Sequence, residues 1–172
     1  VLPQSFTEAQ AQQFLAFVGN GGLPSVAYLS DQKTGGSEAG DSVAGWQTRV
    51  LNTEEDVDSI VTLSNNEFTL AAGTYEIEWS APSFAATNHH SKLTNVTNST
   101  TEKIGSSEYS SDSGHAQTRS TGSARVSITA TTTYKVEHFT NLAVAPYGLG
   151  INGGISSIAE IYTTVKITGT PS

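Results

Sequence analysis

The stretch FTLAAGTYEIEWSAP, Phe68–Pro82, decides the fold class. In its second half Tyr75, Ile77 and Trp79 alternate with Thr74, Glu76, Glu78 and Ser80. Successive side chains of an extended chain point to opposite faces, so this pattern predicts a strand with one apolar and one wet side. Ala72-Gly73 is a turn signal between that strand and the Glu67–Leu70 run before it. The same period recurs downstream. Val126, Ile128 and Ala130 alternate with Arg125, Ser127 and Thr129, and Tyr134 and Val136 oppose Lys135 and Glu137. Near the end, Ile161, Thr163, Val165 and Ile167 oppose Tyr162, Thr164 and Lys166. Val26–Leu29, Trp46–Leu51, Ile60–Leu63 and Phe84–Thr87 complete a set of short candidate strands with little helix between them. That organisation predicts an all-β sandwich or barrel and excludes parallel α/β folds, which need helical crossovers.

Composition narrows the class further. The chain has 172 residues, enough for one domain, with 8 Lys+Arg against 16 Asp+Glu and a net charge of −8. So few cations argue against nucleic-acid and anionic-membrane partners. No apolar run approaches the roughly 18 residues of a membrane span. Leu, Ile, Val and Phe total 37 residues, a thin hydrophobic supply, whereas Ser and Thr total 45 and suit solvated strands and turns. Without Cys there is no disulfide, thiolate metal site or thiol nucleophile.

The first residues differ from the rest. Ser5 and Glu8 have capping-box spacing, and Phe6–Val18 reads as a short helix followed by the breaker Gly19-Asn20-Gly21-Gly22 and Pro24. Residues 1–24 are therefore expected to form a neck or docking arm, and residues 25–172 a head. Asn98–Thr121 is the longest polar stretch, either a mobile loop or a surface hairpin, its composition favouring a solvated segment.

Four constellations invite chemical readings. Gly148–Gly153 fits G-x-G-x-x-G, but no helix follows to face a phosphate, so a glycine-rich turn is expected. Gly40-Asp41-Ser42 resembles the surroundings of a nucleophilic serine but lacks a base and an orienting acid at a defensible spacing. Glu54-Glu55-Asp56-Val57-Asp58 lacks the EF-hand glycine and terminal Glu, which favours a solvated loop over a Ca²⁺ site. His89 and His90 would point to opposite faces of a strand and so would not share an ion; with His115 and His138 they are expected to be ordinary surface or hydrogen-bonded imidazoles. No metal, cofactor or catalytic set is expected. Asn95-Val96-Thr97 and Asn98-Ser99-Thr100 fit the glycosylation acceptor pattern, which matters only in a secreted animal protein.

Phe68–Pro82 resembles the strand–Gly–aromatic-strand signature of the tumour-necrosis-factor and complement-globular-head superfamily. Trp46–Leu70, with the later Tyr134–Phe139, Gly148–Gly154 and Glu160–Ile167, is similar to the form of that domain found at bacteriophage tail-fibre and head-fibre tips. The polar Asn98–Thr121 stretch is longer than that pattern leads one to expect. The resemblance implies an all-β, TNF-like ten-stranded jelly-roll sandwich and a homotrimer, with Tyr75, Trp79, Tyr134, Phe139 and Tyr162 either against neighbouring copies or in the protomer core. It further implies a non-enzymatic virion protein, the knob of a fibre or spike, placed extracellularly on the virion surface. Its N-terminal segment would meet other virion proteins, and its loops would meet a host glycan or outer-membrane protein. Candidate contacts are His89, His90 and Lys92 in Thr87–Asn95, and Tyr109, Asp112, His115 and Arg119 in Glu108–Thr121. The alternatives are a capsid decoration without host ligand and a secreted complement-head-like receptor ligand or lectin module.

Overall fold

The computed structural model describes residues 24–172; the expected N-terminal helix and most of its hinge lie outside the described residues. The chain runs through β1 (Ser25–Lys33), β2 (Gly45–Thr48), β3 (Thr53–Asp56), β4 (Val61–Ser64), β5 (Glu67–Leu70) and β6 (Gly73–Phe84). It continues through β7 (Thr87–Asn95), β8 (Thr100–Ser110), β9 (Gln117–Ile128), β10 (Thr132–Thr140) and β11 (Glu160–Pro171). Ten of these form two five-stranded antiparallel sheets, ordered β3-β1-β11-β6-β9 and β4-β5-β10-β7-β8. The short β2 lies beside β10, with the Arg49 N–H donating to the Val136 carbonyl at 2.8 Å.

The alternation of β6 sets the interior. Tyr75, Ile77 and Trp79 are buried and face Phe68, Leu70, Leu93, Tyr134 and Val136 of the second sheet in one continuous apolar cluster. The other end of the sandwich is filled differently. Asp31, Arg49, His89, Ser91, Ser110, Ser120, His138 and Thr163 are each at most 2% exposed. Trp79 bridges the two halves: its indole N–H donates to Ser91 Oγ at 2.8 Å, and Ser91 and Ser120 share a 2.8 Å hydroxyl contact. Ser120 Oγ also donates to the Ser106 carbonyl at 2.7 Å. The expectation that the hydroxyl-rich composition belongs to wet surface is thus incomplete. Part of it lies in a buried polar layer where hydroxyls hydrogen-bond one another and nearby carbonyls, which a lean apolar supply leaves room for.

Of the two readings of Asn98–Thr121 the hairpin holds: it is β8–β9, with β8 on the edge of the second sheet and β9 on the edge of the first. Two other expectations about strands need correction. Phe84–Thr87 is a corner, not a strand: Ala85 and Thr87 take φ of 54° and 60°, turning the chain from β6 in one sheet to β7 in the other. In β11 the predicted phase holds for Thr163, Val165 and Ile167 but fails at Tyr162 and Ile161. Pairing with β1 passes from Ser30↔Thr164 to Gln32↔Ile161, so Asp31 faces two residues across a bulge. Tyr162 and Thr163 are consequently both buried, and Ile161 turns outward, 44% exposed.

Gly122 lies opposite Trp79 in the β6–β9 pair, and a Cβ there would overlap the indole ring. Gly122→Ala should therefore displace Trp79 from its Ser91 contact and cost about 1–3 kcal/mol. Denaturant unfolding monitored by tryptophan fluorescence measures this; an unchanged midpoint would show that the ring is not locked over the glycine.

Candidate functional site

Adjacent residues on β7 separate the two histidines as a strand must. His89 turns into the sandwich and is 2% exposed, while His90 turns outward. His89 is therefore removed from the expected contact set, and Thr87–Asn95 is strand, not loop. Inside, His89 meets His138 of β10, with Nδ1 of the former 2.9 Å from Nε2 of the latter, and His89 Nε2 lies 2.8 Å from Thr118 Oγ1. His138 Nδ1 is buried without a partner. A lone pair is tolerated unpaired better than an N–H. We therefore assign His138 Nε2–H as donor to His89 Nδ1, and His89 Nε2–H as donor to Thr118. Burial first, then the Arg49 cation and the neighbouring imidazoles, hold His138 down to about 2. Burial likewise lowers His89 to about 4, against the opposing pull of Glu108.

Arg49 accounts for the neighbouring constellations. Its fully buried guanidinium donates to Thr163 Oγ1 at 2.7 Å, the Pro82 carbonyl at 3.2 Å and the Leu149 carbonyl at 2.9 Å. The G-x-G-x-x-G stretch is thus a loop that presents a carbonyl to Arg49, and the strand β11 follows it. Ser42 is 3% exposed; its hydroxyl donates to the Leu142 carbonyl and accepts from the Val144 N–H. That is a loop clasp. Glu54 and Asp56 accept from the Leu63 and Val61 N–H groups, tying β3 to β4. Among the described residues no three His, Cys, Asp or Glu side chains gather to hold a metal ion.

The outer face of the second sheet carries the most distinctive exposed cluster. Trp46 on β2, 41% exposed, lies 5.2 Å centroid to centroid from His90 and 5.7 Å from Phe139, and His90 and Phe139 are 5.5 Å apart. Lys92 Nζ sits 4.2 Å from the Trp46 ring centroid and 3.2 Å from the Glu137 carboxylate. Glu137 also meets Lys135 at 3.3 Å and accepts from Thr94 Oγ1 at 2.6 Å. Burial opposes the Glu137 charge, but the Thr94 hydroxyl and the two ammonium groups outweigh it and hold this carboxyl below the usual range. The result is an aromatic platform rimmed by fixed donors and acceptors. Such sites suit ligands with alternating apolar and hydroxyl faces.

The first sheet's outer face is different. A groove of about 930 Å³ crosses β1, β11, β6 and β9, lined by Tyr28, Glu78, Ser80, Ile161 and Lys166 among others. Tyr28 is 51% exposed, and Lys166 pairs with Glu78 at 3.7 Å. Arg119 meets the groove wall at Ser80. Its guanidinium donates to the Tyr162 carbonyl at 2.8 Å and to Ser80 Oγ at 3.2 Å, so it braces the β11 bulge and is not a free loop contact. Of the remaining expected contacts, Tyr109 is 54% exposed on β8, and Asp112 and His115 are exposed in the β8–β9 turn. These residues do not come together with His90 and Lys92 in one cluster.

Of the aromatics, Tyr75, Trp79, Tyr134 and Tyr162 are buried within a single protomer, at 0–3% exposure. Phe139 alone among the five reaches an outer face. Trp46 and Glu137 were missing from the expected contacts; the alternation of Lys135–Phe139 places Glu137 outward in phase with Phe139, whereas nothing local brings Trp46 beside them.

No family model and no curated protein matches the chain. Solved structures do. Murine APRIL at pH 8.5 superposes with a TM-score of 0.50 at 8% identity, covering 86% of this chain and 99% of that one. The globular domain of zebrafish complement 1qA gives a TM-score of 0.50 at 15% identity over 87% of this chain and 96% of its own. The fold is a TNF- and complement-head-like jelly roll. At these identities the likeness is one of fold. Within this jelly roll, the His89–His138 pair occupies the space between the sheets, and the aromatic platform faces away from it.

The buried pair sets a pH dependence. Unfolded histidine takes up a proton near its ordinary value of about 6.5. His89 and His138 resist protonation in the fold until about 4 and about 2. Stability is therefore full above pH 6.5 and falls as pH drops below it, by up to about 1.4 kcal/mol per pH unit per histidine. Urea titrations from pH 7 to 4.5 should show this decline, and His89→Gln/His138→Gln should flatten it. An equal slope in the double variant would contradict the assignment.

Proposed function

We propose that this jelly roll is a non-enzymatic recognition module that works as a homotrimer: the knob of a bacteriophage fibre or spike, contacting host-surface polysaccharide through the Trp46–His90–Phe139 platform. The exposed platform is the observation that carries the reading. An aromatic face accepts the C–H side of a sugar ring, while Lys92, Glu137 and Thr94 stand where ring hydroxyls need partners. Pairing of Lys92 and Lys135 with Glu137 leaves little local charge, which favours a neutral or weakly acidic glycan over a strongly charged one.

Assembly supplies the affinity that one such site lacks. The amphipathic groove on the first sheet, with Tyr28 and Ile161 half-exposed, is the face we assign to neighbouring copies. Covering it removes apolar area from water at about 25 cal/mol per Å². A threefold arrangement then leaves three platforms outward, and weak contacts combine through avidity. The similarity of Trp46–Leu70 and the later strands to fibre-tip domains supports a virion location, with the N-terminal segment as the attachment to other virion proteins.

Trp46→Ala should reduce binding to host-surface polysaccharide, on a glycan array or in adsorption assays, by roughly tenfold or more per site. The unfolding midpoint should stay near wild type, since Trp46 is partly exposed. Tyr109→Ala, on the edge strand β8 that pairs with β7, should bind as wild type. Unchanged binding by Trp46→Ala, with loss in Tyr109→Ala, would move the contact to the β8–β9 hairpin. Sedimentation of Tyr28→Asp/Ile161→Asp should show single protomers where the wild type shows trimers; trimers in both would remove the groove as the interface.

A further inference from the structure

The Gly148–Gly153 stretch contains Asn152-Gly153, and five hydrogen bonds converge on that dipeptide. The Gly153 N–H donates to both oxygens of the Glu160 carboxylate, at 3.0 and 3.1 Å. The Gly154 N–H donates to Asn152 Oδ1 at 2.8 Å. Asn152 Nδ2 and the Asn152 backbone N–H donate to the two oxygens of Glu38, at 2.6 and 2.7 Å. Neither carboxylate has Lys or Arg within ion-pair distance among the described residues.

Each contact corresponds to a need of one reaction, attack of a backbone nitrogen on the preceding side-chain amide. The nucleophile is the Gly153 nitrogen, whose proton already rests on a carboxylate able to accept it. The electrophile is Asn152 Cγ, whose oxygen faces an N–H donor at the place where negative charge develops. Glu38 ties the side chain, through Nδ2, to the residue's own backbone N–H, which narrows the rotational search for that geometry. Gly153 carries no Cβ, so nothing crowds the attacking nitrogen; a Cβ there would lie 3.5 Å from Glu160 Oε2.

We infer that Asn152-Gly153 is a self-modifying site at which Glu160 acts as general base for cyclisation to a succinimide. The Gly153 N–H bond breaks toward Glu160 and the nitrogen bonds to Asn152 Cγ. Charge gathers on Oδ1 against the Gly154 N–H. The tetrahedral centre then collapses, Nδ2 leaving as ammonia with the proton returned from Glu160. Water opens the ring at either carbonyl to give aspartate or isoaspartate, so no reactant beyond water is required. Glu160 touches the reacting nitrogen and is the catalytic residue; Glu38 is a positioning residue.

The product undoes its own cradle. Aspartate loses the Nδ2 donor and sets a carboxylate against Glu38, and isoaspartate also inserts an extra backbone carbon. The loop so loosened is the one that gives Arg49 its Leu149 carbonyl and pairs Ala39 N–H with the Gly150 carbonyl at 3.0 Å. The site acts as a clock that relaxes the polar end of the sandwich with age.

Time-resolved peptide mapping by mass spectrometry of the whole chain at neutral pH tests this, with a synthetic peptide spanning residues 148–156 as the unstructured reference. Wild type should convert at Asn152 faster than the peptide, and Glu160→Gln should slow conversion on the order of 10²-fold. Glu38→Gln keeps a polar side chain at the clamp and should lie between the two. Wild type slower than the peptide, or Glu160→Gln as fast as wild type or faster, would overturn the inference and identify the two carboxylates as a lock that protects the amide.

Discussion

The guanidinium of Arg49 sits wholly inside the sandwich and is held by three neutral oxygens. A cation in such a place is tolerated only if fixed dipoles replace its water, because an isolated buried charge costs several kcal/mol or more. Burial is the main influence lowering Arg49, to about 9, with Asp31 working the other way, and the group remains charged at neutral pH. Its partners come from β11, the end of β6 and the glycine-rich loop, so one side chain fastens two neighbouring central strands of the first sheet to that loop. Much else follows from that choice. The β11 bulge aims Thr163 at the guanidinium, and the histidines beside it must stay neutral. Hydroxyls of Ser91, Ser110 and Ser120 fill the rest of the layer because their hydrogen bonds close within it.

This arrangement reconciles the thin hydrophobic supply with a closed fold. The apolar end, from Tyr75 and Ile77 to Phe68 and Tyr134, supplies the non-directional driving force. The polar end adds directional bonds that specify one pairing of the sheets. Between them Trp79 belongs to both, packed over Gly122 and bonded to Ser91.

The architecture was legible where the period of two ran unbroken. Phe68–Pro82 revealed a strand, a turn and the buried face of β6, and Tyr134–Phe139 revealed β10 with its outward Glu137 and Phe139. Legibility failed where a local feature shifts the phase. The β11 bulge turned Ile161 outward, and positive φ at Ala85 and Thr87 made a corner of an apparent strand. The buried role of His89 could have been found from its phase with Leu93, and that of His138 from its phase with Val136. Their meeting could not, since it depends on the β7–β10 register. Trp46 was hidden for the same reason: a four-residue strand carries too little pattern to say which neighbour it lies beside.

The proposed function divides the two outer faces: it assigns one sheet to contacts between copies and leaves the other, with its aromatic platform, outward. Hydroxyl-radical footprinting of the native assembly distinguishes these faces in a single measurement, since side-chain oxidation reports solvent contact residue by residue. The account predicts protection of Tyr28 and Ile161 together with ready oxidation of Trp46 and Phe139. Protection of Trp46 with free oxidation of Tyr28 would mean that the platform is the surface buried by assembly, and would contradict it.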